Sequence, residues 1–372
     1  MLEASNIVEA SPAPSIDSLI SGTYTIKHTN PLIWYHGRWT DEPSTWWTGT
    51  GFKLNVLGLS SLSLNIGPVT TSPYAAVGIS VDYEAFRTVN ISAGANTLPL
   101  NLPKSNSIIP KTHVVRIATE GWQNNRIELD SITLNKGAIL LPYKPSKLSF
   151  QFIGDSLTAG QYDARGVIDT WAFITGETFK AEHRINAQPG ACLTDQLCWG
   201  NYHGVSYQYF RTEDTGYYYT TDHNYTTAWD FKKDLPSTHV FIHIGANDNA
   251  YNITGDAFKA TYLAFLEKLR RLYPTQPIFI LTPFGWPSAD GNVYYYYEGV
   301  YADVVATRKA AGDKHIYLVD TSGWQRYQDI FPDNSHPTEA GHQHIADQMI
   351  AWLKDWGLKP QKSWATLPSG SN

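Results

Sequence analysis

The chain changes character at Pro142-Tyr143-Lys144-Pro145-Ser146-Lys147, and no other feature constrains its fold as much. Before this linker come short runs rich in Val, Ile, Thr and Phe, such as GTYTIKHT, SLSLNIG, AAVGISVDY, HVVRIATEG and RIELDSITLN, separated by Gly, Pro or Asn. Strands at that spacing, with no helical period among them, predict a β-sandwich of jelly-roll type. After the linker, the apolar runs KLSFQFIG, HVFIHIGA, PIFILTPF and HIYLVD appear, and the helical-period stretches GDAFKATYLAFLEKLRRLY and EGVYADVVATRKAAG lie between the later ones. Strands that are apolar throughout and separated by helices predict a parallel sheet covered on both faces. The chain is long enough for two cores, since it has 372 residues. The expectation is an all-β domain over 22–145 and an α/β domain over 146–358. Segments 1–21 and 359–372 are expected to be loosely attached.

Charge and hydropathy exclude several classes. With 28 basic and 34 acidic residues the formal charge is −6, which offers no electrostatic case for nucleic acid or an anionic membrane. No apolar run approaches the roughly 18 residues of a membrane span. The first residues, MLEASNIVEASPAPS, lack an apolar signal-peptide core and read as a mature terminus. Three sequons, at Asn90, Asn224 and Asn252, make the expected location extracellular. The cysteines, Cys192 and Cys198, have five residues between them; a local disulfide and two separate buried thiols are both open.

In an α/β sheet, chemistry is expected at the carboxyl ends of the strands. SFQFI runs into Gly154-Asp155-Ser156-Leu157, VFIHI into Gly245-Ala246-Asn247-Asp248, and the loop beyond YLVD holds Asp333-Asn334-Ser335-His336-Pro337. A serine becomes a nucleophile when a base takes its proton, and histidine is the usual base near neutral pH. The base needs a carboxylate to hold its tautomer, and Asp333 precedes His336 by three residues. Asn247 and the backbone N–H of Ser156 supply donors for an oxyanion. Ser156 by itself also fits an ordinary N-cap; the two other blocks, in order, favour the nucleophile.

These three blocks resemble those of SGNH (GDSL-type) hydrolases, esterases and lipases with a flavodoxin-like α/β/α fold. The resemblance covers about residues 148–357. It implies that Ser156 is the nucleophile, His336 the base, Asp333 its orienting partner and Asn247 an oxyanion donor. The family's oxyanion glycine corresponds to Gly190 in INAQPGACLTD. WYHGRW at 34–39 and WWTGTGFKLNV at 46–56, placed ahead of such a domain, are similar to carbohydrate esterase family 2. That likeness implies a jelly-roll front domain and removal of acetyl groups from plant cell-wall polysaccharide such as xylan. Some members of that family lack the orienting aspartate; here Asp333 is retained, so a full triad is expected.

Asp155, Tyr251 and Trp286 stand as candidate substrate contacts, and Asp248 as a structural tie for its loop. The expected protein is a monomer acting on acetylated polysaccharide or oligosaccharide, with no cofactor and no metal. His243 is expected to be a hydrogen-bonded core residue, and Trp46 and Trp47 the core and surface of one strand. His342 and His344, two apart in a helix, face different ways and predict no metal site. The insertion 199–230 and Tyr294–Tyr297 are aromatic and serve either as packed lids or as sugar platforms. A feruloyl or aryl esterase and a lipase are the alternatives within hydrolases. A non-catalytic carbohydrate-binding protein is the alternative outside them.

Overall fold

The computed structural model describes residues 23–102, 109–122, 124–213, 227–330 and 336–370. The front half contains strands β1 (Thr23–Lys27), β2 (Trp34–His36), β3 (Ser44–Thr45), β4 (Gly51–Leu57), β5 (Leu62–Ile66), β6 (Ala75–Val81), β7 (Arg87–Ile91), β8 (Gly94–Thr97), β9 (Thr112–Thr119), β10 (Ile127–Asn135) and β11 (Ile139–Leu141). They form two antiparallel sheets, ordered β1-β10-β5-β8 and β11-β4-β9-β6-β7, with β3 added to β10 and β2 to β4. Alternate residues point inward: Leu62, Leu64 and Ile66 of β5 are buried, as are Leu54 and Val56 of β4, and together they line one apolar core.

The back half is a parallel sheet of β12 (Ser149–Gly154), β13 (Glu182–Ala187), β14 (His239–His243), β15 (Ile278–Leu281) and, after a small hairpin of β16 (Trp286–Pro287) and β17 (Val293–Tyr294), β18 (Ile316–Val319). Its order is β13-β12-β14-β15-β18. The chain leaves β12 to one side and then returns to the other, which is the flavodoxin-type arrangement with its switch point at β12. The pleat sorts side chains into two layers. Phe150, Phe152, Phe241 and Phe279 share one core with Trp171 and Met349, while Ile153, Ile242 and Ile280 face Phe258, Phe265 and Leu266. The helices are α1 (Ser156–Ala159), α2 (Trp171–Phe179), α3 (Val205–Gln208), α4 (Ala246–Ala250), α5 (Gly255–Leu272), α6 (Val300–Ala310) and α7 (Glu339–Asp355). Of these, α2 and α7 cover the phenylalanine face, and α5 and α6 the isoleucine face.

Polar contacts join the halves. The Lys53 ammonium meets the Glu182 carboxylate in a buried pair, and Glu182 also accepts from the Tyr143 hydroxyl and the Ser146 N–H, each at 2.9 Å. Arg116 donates to Glu177 at 2.7 and 2.8 Å. Trp46 and Trp47 depart from expectation. They follow β3 instead of lying in a strand, both are buried, and the Trp47 indole N–H reaches Thr212 O of the back half at 2.9 Å. The C-terminal segment is not loose either. The Trp364 ring stacks on Tyr83 at 4.8 Å, and Tyr83 donates to Thr366 O at 2.7 Å, so the segment straps the two halves.

Candidate active site

The site is built where β12 ends. Gly154 leaves the strand in a space with no room for a side chain, since a Cβ there would lie 2.3 Å from Thr158 Oγ1 and 2.8 Å from His243 O. Asp155 then caps α1, accepting from Leu157 N at 3.1 Å, and Ser156 is the helix's first residue. His336 comes from the loop ahead of α7, whose N-cap is Thr338. Ser156 Oγ and His336 Nε2 are 2.8 Å apart, hydrogen-bond distance for a hydroxyl giving its proton to an imidazole. Burial, with a smaller contribution from His342, draws the His336 pKa down to about 4, so the ring is neutral and able to accept at neutral pH. The Tyr162 ring meets the imidazole edge-on at 5.0 Å.

The candidate oxyanion donors converge from two other loops. Gln188 N donates to Gly154 O at 3.3 Å, which lays the loop after β13 beside the serine turn. Gly190 has φ +77°, a left-handed conformation that favours glycine. From the turn after β14, Asn247 Nδ2 donates to Ala191 O at 3.0 Å and so stands next to Gly190. Its neighbour Asp248 is buried and accepts from Leu193 N at 2.7 Å and Thr194 N at 3.0 Å, tying the same loop down. Cys192 and Cys198 are joined in a disulfide that closes this loop, which answers the question their spacing left open.

Trp199, directly after the disulfide, lies beside Gly190: a Cβ on the glycine would come within 2.7 Å of Trp199 Cβ. Its N–H donates to the Tyr251 hydroxyl at 2.7 Å, and the two rings meet edge-on at 5.6 Å. Both rings are well exposed, so they form an aromatic rim at the Gly190 loop. Tyr251 was legible as a candidate; Trp199 was not, because only its place inside an aromatic insertion marked it. Trp286 is half-buried, 5.9 Å from Tyr296 and packed between the two cores of the sheet. Asn90 and Asn252 are exposed. Asp333 and Asn224 lie outside the described residues.

Asp155 and His243 depart from expectation. Asp155 has no exposed surface, so it serves the helix cap and not a substrate. His243 is buried and stacked on Phe284 at 3.8 Å, but neither ring nitrogen has a hydrogen-bond partner among the described residues. Burial draws its pKa down to about 3, so it is a neutral aromatic filler. His342 and His344 do differ in burial, and His342 pairs with the buried Asp163 at 3.1 Å. This contact sets the loop that carries Tyr162 against α7. Among the described residues no cluster of His, Cys, Asp or Glu suits a metal, and no helix is long and apolar enough to cross a membrane.

The cap carboxyl has a measurable consequence. Burial first, and the nearby Asp248 charge less, raise the Asp155 pKa to about 7, against the pull of the Leu157 N–H. The folded state therefore keeps a proton that the unfolded chain releases above its ordinary value of 3.8. The sign follows: stability is lost as pH rises from about 4 to about 7, by at most about 4 kcal/mol. Asp155→Asn keeps the acceptor for Leu157 N and cannot ionise. Urea unfolding at pH 5 and pH 7 should show a smaller loss for the variant than for the parent; equal slopes would refute the buried ionisation.

No curated protein sequence matches the chain. Among solved structures, the family two carbohydrate esterase from Clostridium thermocellum in complex with cellohexaose is similar at 21% identity and TM-score 0.68, covering 87% of this chain and 98% of that one. An acetyl xylan esterase from the rumen bacterium Butyrivibrio proteoclasticus is similar at 16% identity and TM-score 0.68, covering 90% and 98%. A salicylyl-acyltransferase from a tetracycline biosynthetic pathway aligns at 16% identity and TM-score 0.65, covering 91% and 98%. At these identities the likeness is one of fold, and it extends over both halves. The model of the GDSL-like Lipase/Acylhydrolase family matches residues 152–344, more than half of the chain, and takes in Ser156, Gly190, Asn247 and His336. The chain therefore belongs to the GDSL-like Lipase/Acylhydrolase family.

Proposed function

We propose that the protein is a secreted serine esterase that removes acetyl groups from plant cell-wall polysaccharide or its oligosaccharides. The observation that carries the reading is the 2.8 Å contact between Ser156 Oγ and His336 Nε2, with Asn247 and Gly190 brought together beside it. In this mechanism Ser156 Oγ attacks the ester carbonyl carbon while His336 Nε2 takes its proton. The tetrahedral oxygen receives hydrogen bonds from the N–H groups of Ser156 and Gly190 and from the Asn247 side chain, which stabilise it more than the flat ground state. The C–O bond to the sugar breaks as the imidazolium returns the proton to the leaving hydroxyl. Water, deprotonated by the same imidazole, attacks the acyl-enzyme and releases acetate and free serine. Asp333 is proposed to orient the imidazole.

The Trp199–Tyr251 rim favours a sugar over a lipid at this mouth, since aromatic faces stack on the C–H faces of pyranose rings. Among the similar structures, the esterase from Clostridium thermocellum holds cellohexaose and that from Butyrivibrio proteoclasticus is an acetyl xylan esterase. The disulfide and the exposed sequons Asn90 and Asn252 support an extracellular setting. The test is acetate release from acetylated xylan beside turnover of a short aryl acetate. Release from both is expected. Turnover of the aryl acetate alone removes the polysaccharide, and turnover of neither removes the esterase.

A further inference from the structure

A cleft of about 420 Å³ opens between the two halves, at the edge of the parallel sheet and away from the catalytic serine. One wall is β2 and the turn after it; the other is Arg184 of β13 with residues 229–235, which lead into the start of β14. The catalytic groups gather at the opposite, carboxyl ends of those strands, and none of Ser156, Gly190, Asn247 or His336 lines this space. Its size lies within the roughly 300–1,000 Å³ range of small-molecule sites.

The lining combines two kinds of surface. Trp34 and Tyr35 are half-buried and present aromatic area, while Trp39 and Trp229 line the cleft almost fully buried, the latter with the Lys233 ammonium 5.7 Å from its ring centre. The charged groups occur in opposed pairs. Asp41 of the front half meets Lys233 of the back half at 2.9 Å, and Arg184 Nε lies 3.8 Å from Asp234. Asp234 also accepts from the Trp229 indole at 3.2 Å. With two carboxylates facing two cations the cleft has no net charge to offer an ion. What it offers instead is flat apolar faces and a rim where a carboxylate and an ammonium stand side by side. That combination suits a neutral polyol with one apolar face, because vicinal hydroxyls can accept from the ammonium and donate to the carboxylate.

We propose that this cleft is a second, non-catalytic saccharide site, which holds pyranose units of a neutral polysaccharide chain while Ser156 works elsewhere on the substrate. The choice of polysaccharide rests on the function proposed above. The two readings are tested separately, because the probe here carries no ester and cannot be turned over.

Xylohexaose and cellohexaose are titrated calorimetrically into the parent protein, into the double variant Asp41→Ala/Lys233→Ala and into Trp34→Ala. Asp41 and Lys233 are largely exposed, so the double variant is expected to fold, and it decides the question even where Trp34→Ala does not. At least tenfold weaker binding of one hexaose to the double variant is expected, with turnover of a short aryl acetate unchanged within twofold. No binding of either hexaose to the parent overturns the proposal. So does binding that the double variant leaves intact, because the sugar is then held at the catalytic mouth alone.

Discussion

Ser156→Ala is expected to lower kcat on a short aryl acetate by roughly 10⁴- to 10⁶-fold, the cost typical of removing the nucleophile of a serine–histidine unit. Ser156 Oγ is the atom within 2.8 Å of His336 Nε2, at the head of a helix and beside Gly190 and Asn247. Loss of the hydroxyl leaves the turn itself intact, because Gly154 supplies its clearance and Asp155 its cap. The variant should therefore unfold at the parent's temperature and retain its affinity for oligosaccharide. A variant that keeps a tenth or more of the parent rate would remove Ser156 from the chemistry.

His336→Ala should cost about as much, again roughly 10⁴- to 10⁶-fold in kcat, because serine and histidine act as one unit and removal of either disables both. The pH profile of the parent adds a separate reading. The neutral imidazole is the active form, so activity falls as pH drops through its pKa. Burial pulls that pKa from the ordinary 6.5 to about 4, so the acid limb of kcat/KM should lie well below pH 6.5, toward 4. An acid limb above pH 6.5 would mean that a carboxylate outweighs burial, and Asp333→Asn should then move it downward. An unchanged rate in His336→Ala would sink the assignment outright.

The candidate catalytic groups were readable because they sit where apolar runs stop. A buried strand must end where Gly, Asp and Ser interrupt SFQFI, and the second block follows VFIHI for the same reason. An open sheet delivers those ends to one edge, so local pattern was enough to nominate Ser156 and Asn247. Helical period likewise placed α7 and, just before it, the loop with His336. Gly190 was picked out by the resemblance, and its φ of +77° is the backbone reason that a glycine stands there.

Other features arose only from contacts between residues distant in sequence. Trp199 and Tyr251 are 52 residues apart and meet through one backbone hydrogen bond. Tyr162 faces His336, and its neighbour Asp163 lies against His342 of α7. His243 was read as hydrogen-bonded from its alternation, yet the space beside it is filled by Phe284, so stacking replaces a polar partner. The C-terminal segment looked loose from its polarity, but Trp364 finds the Tyr83 ring on the front domain. By itself the sequence determined the two architectures, the strand ends and the residue types of the proposed catalytic unit, since periodicity and chain punctuation are local properties. The aromatic rim, the buried Lys53–Glu182 pair and the cleft between the halves were decided by tertiary structure alone. They depend on which side chains meet when two cores pack together, and no local pattern encodes that.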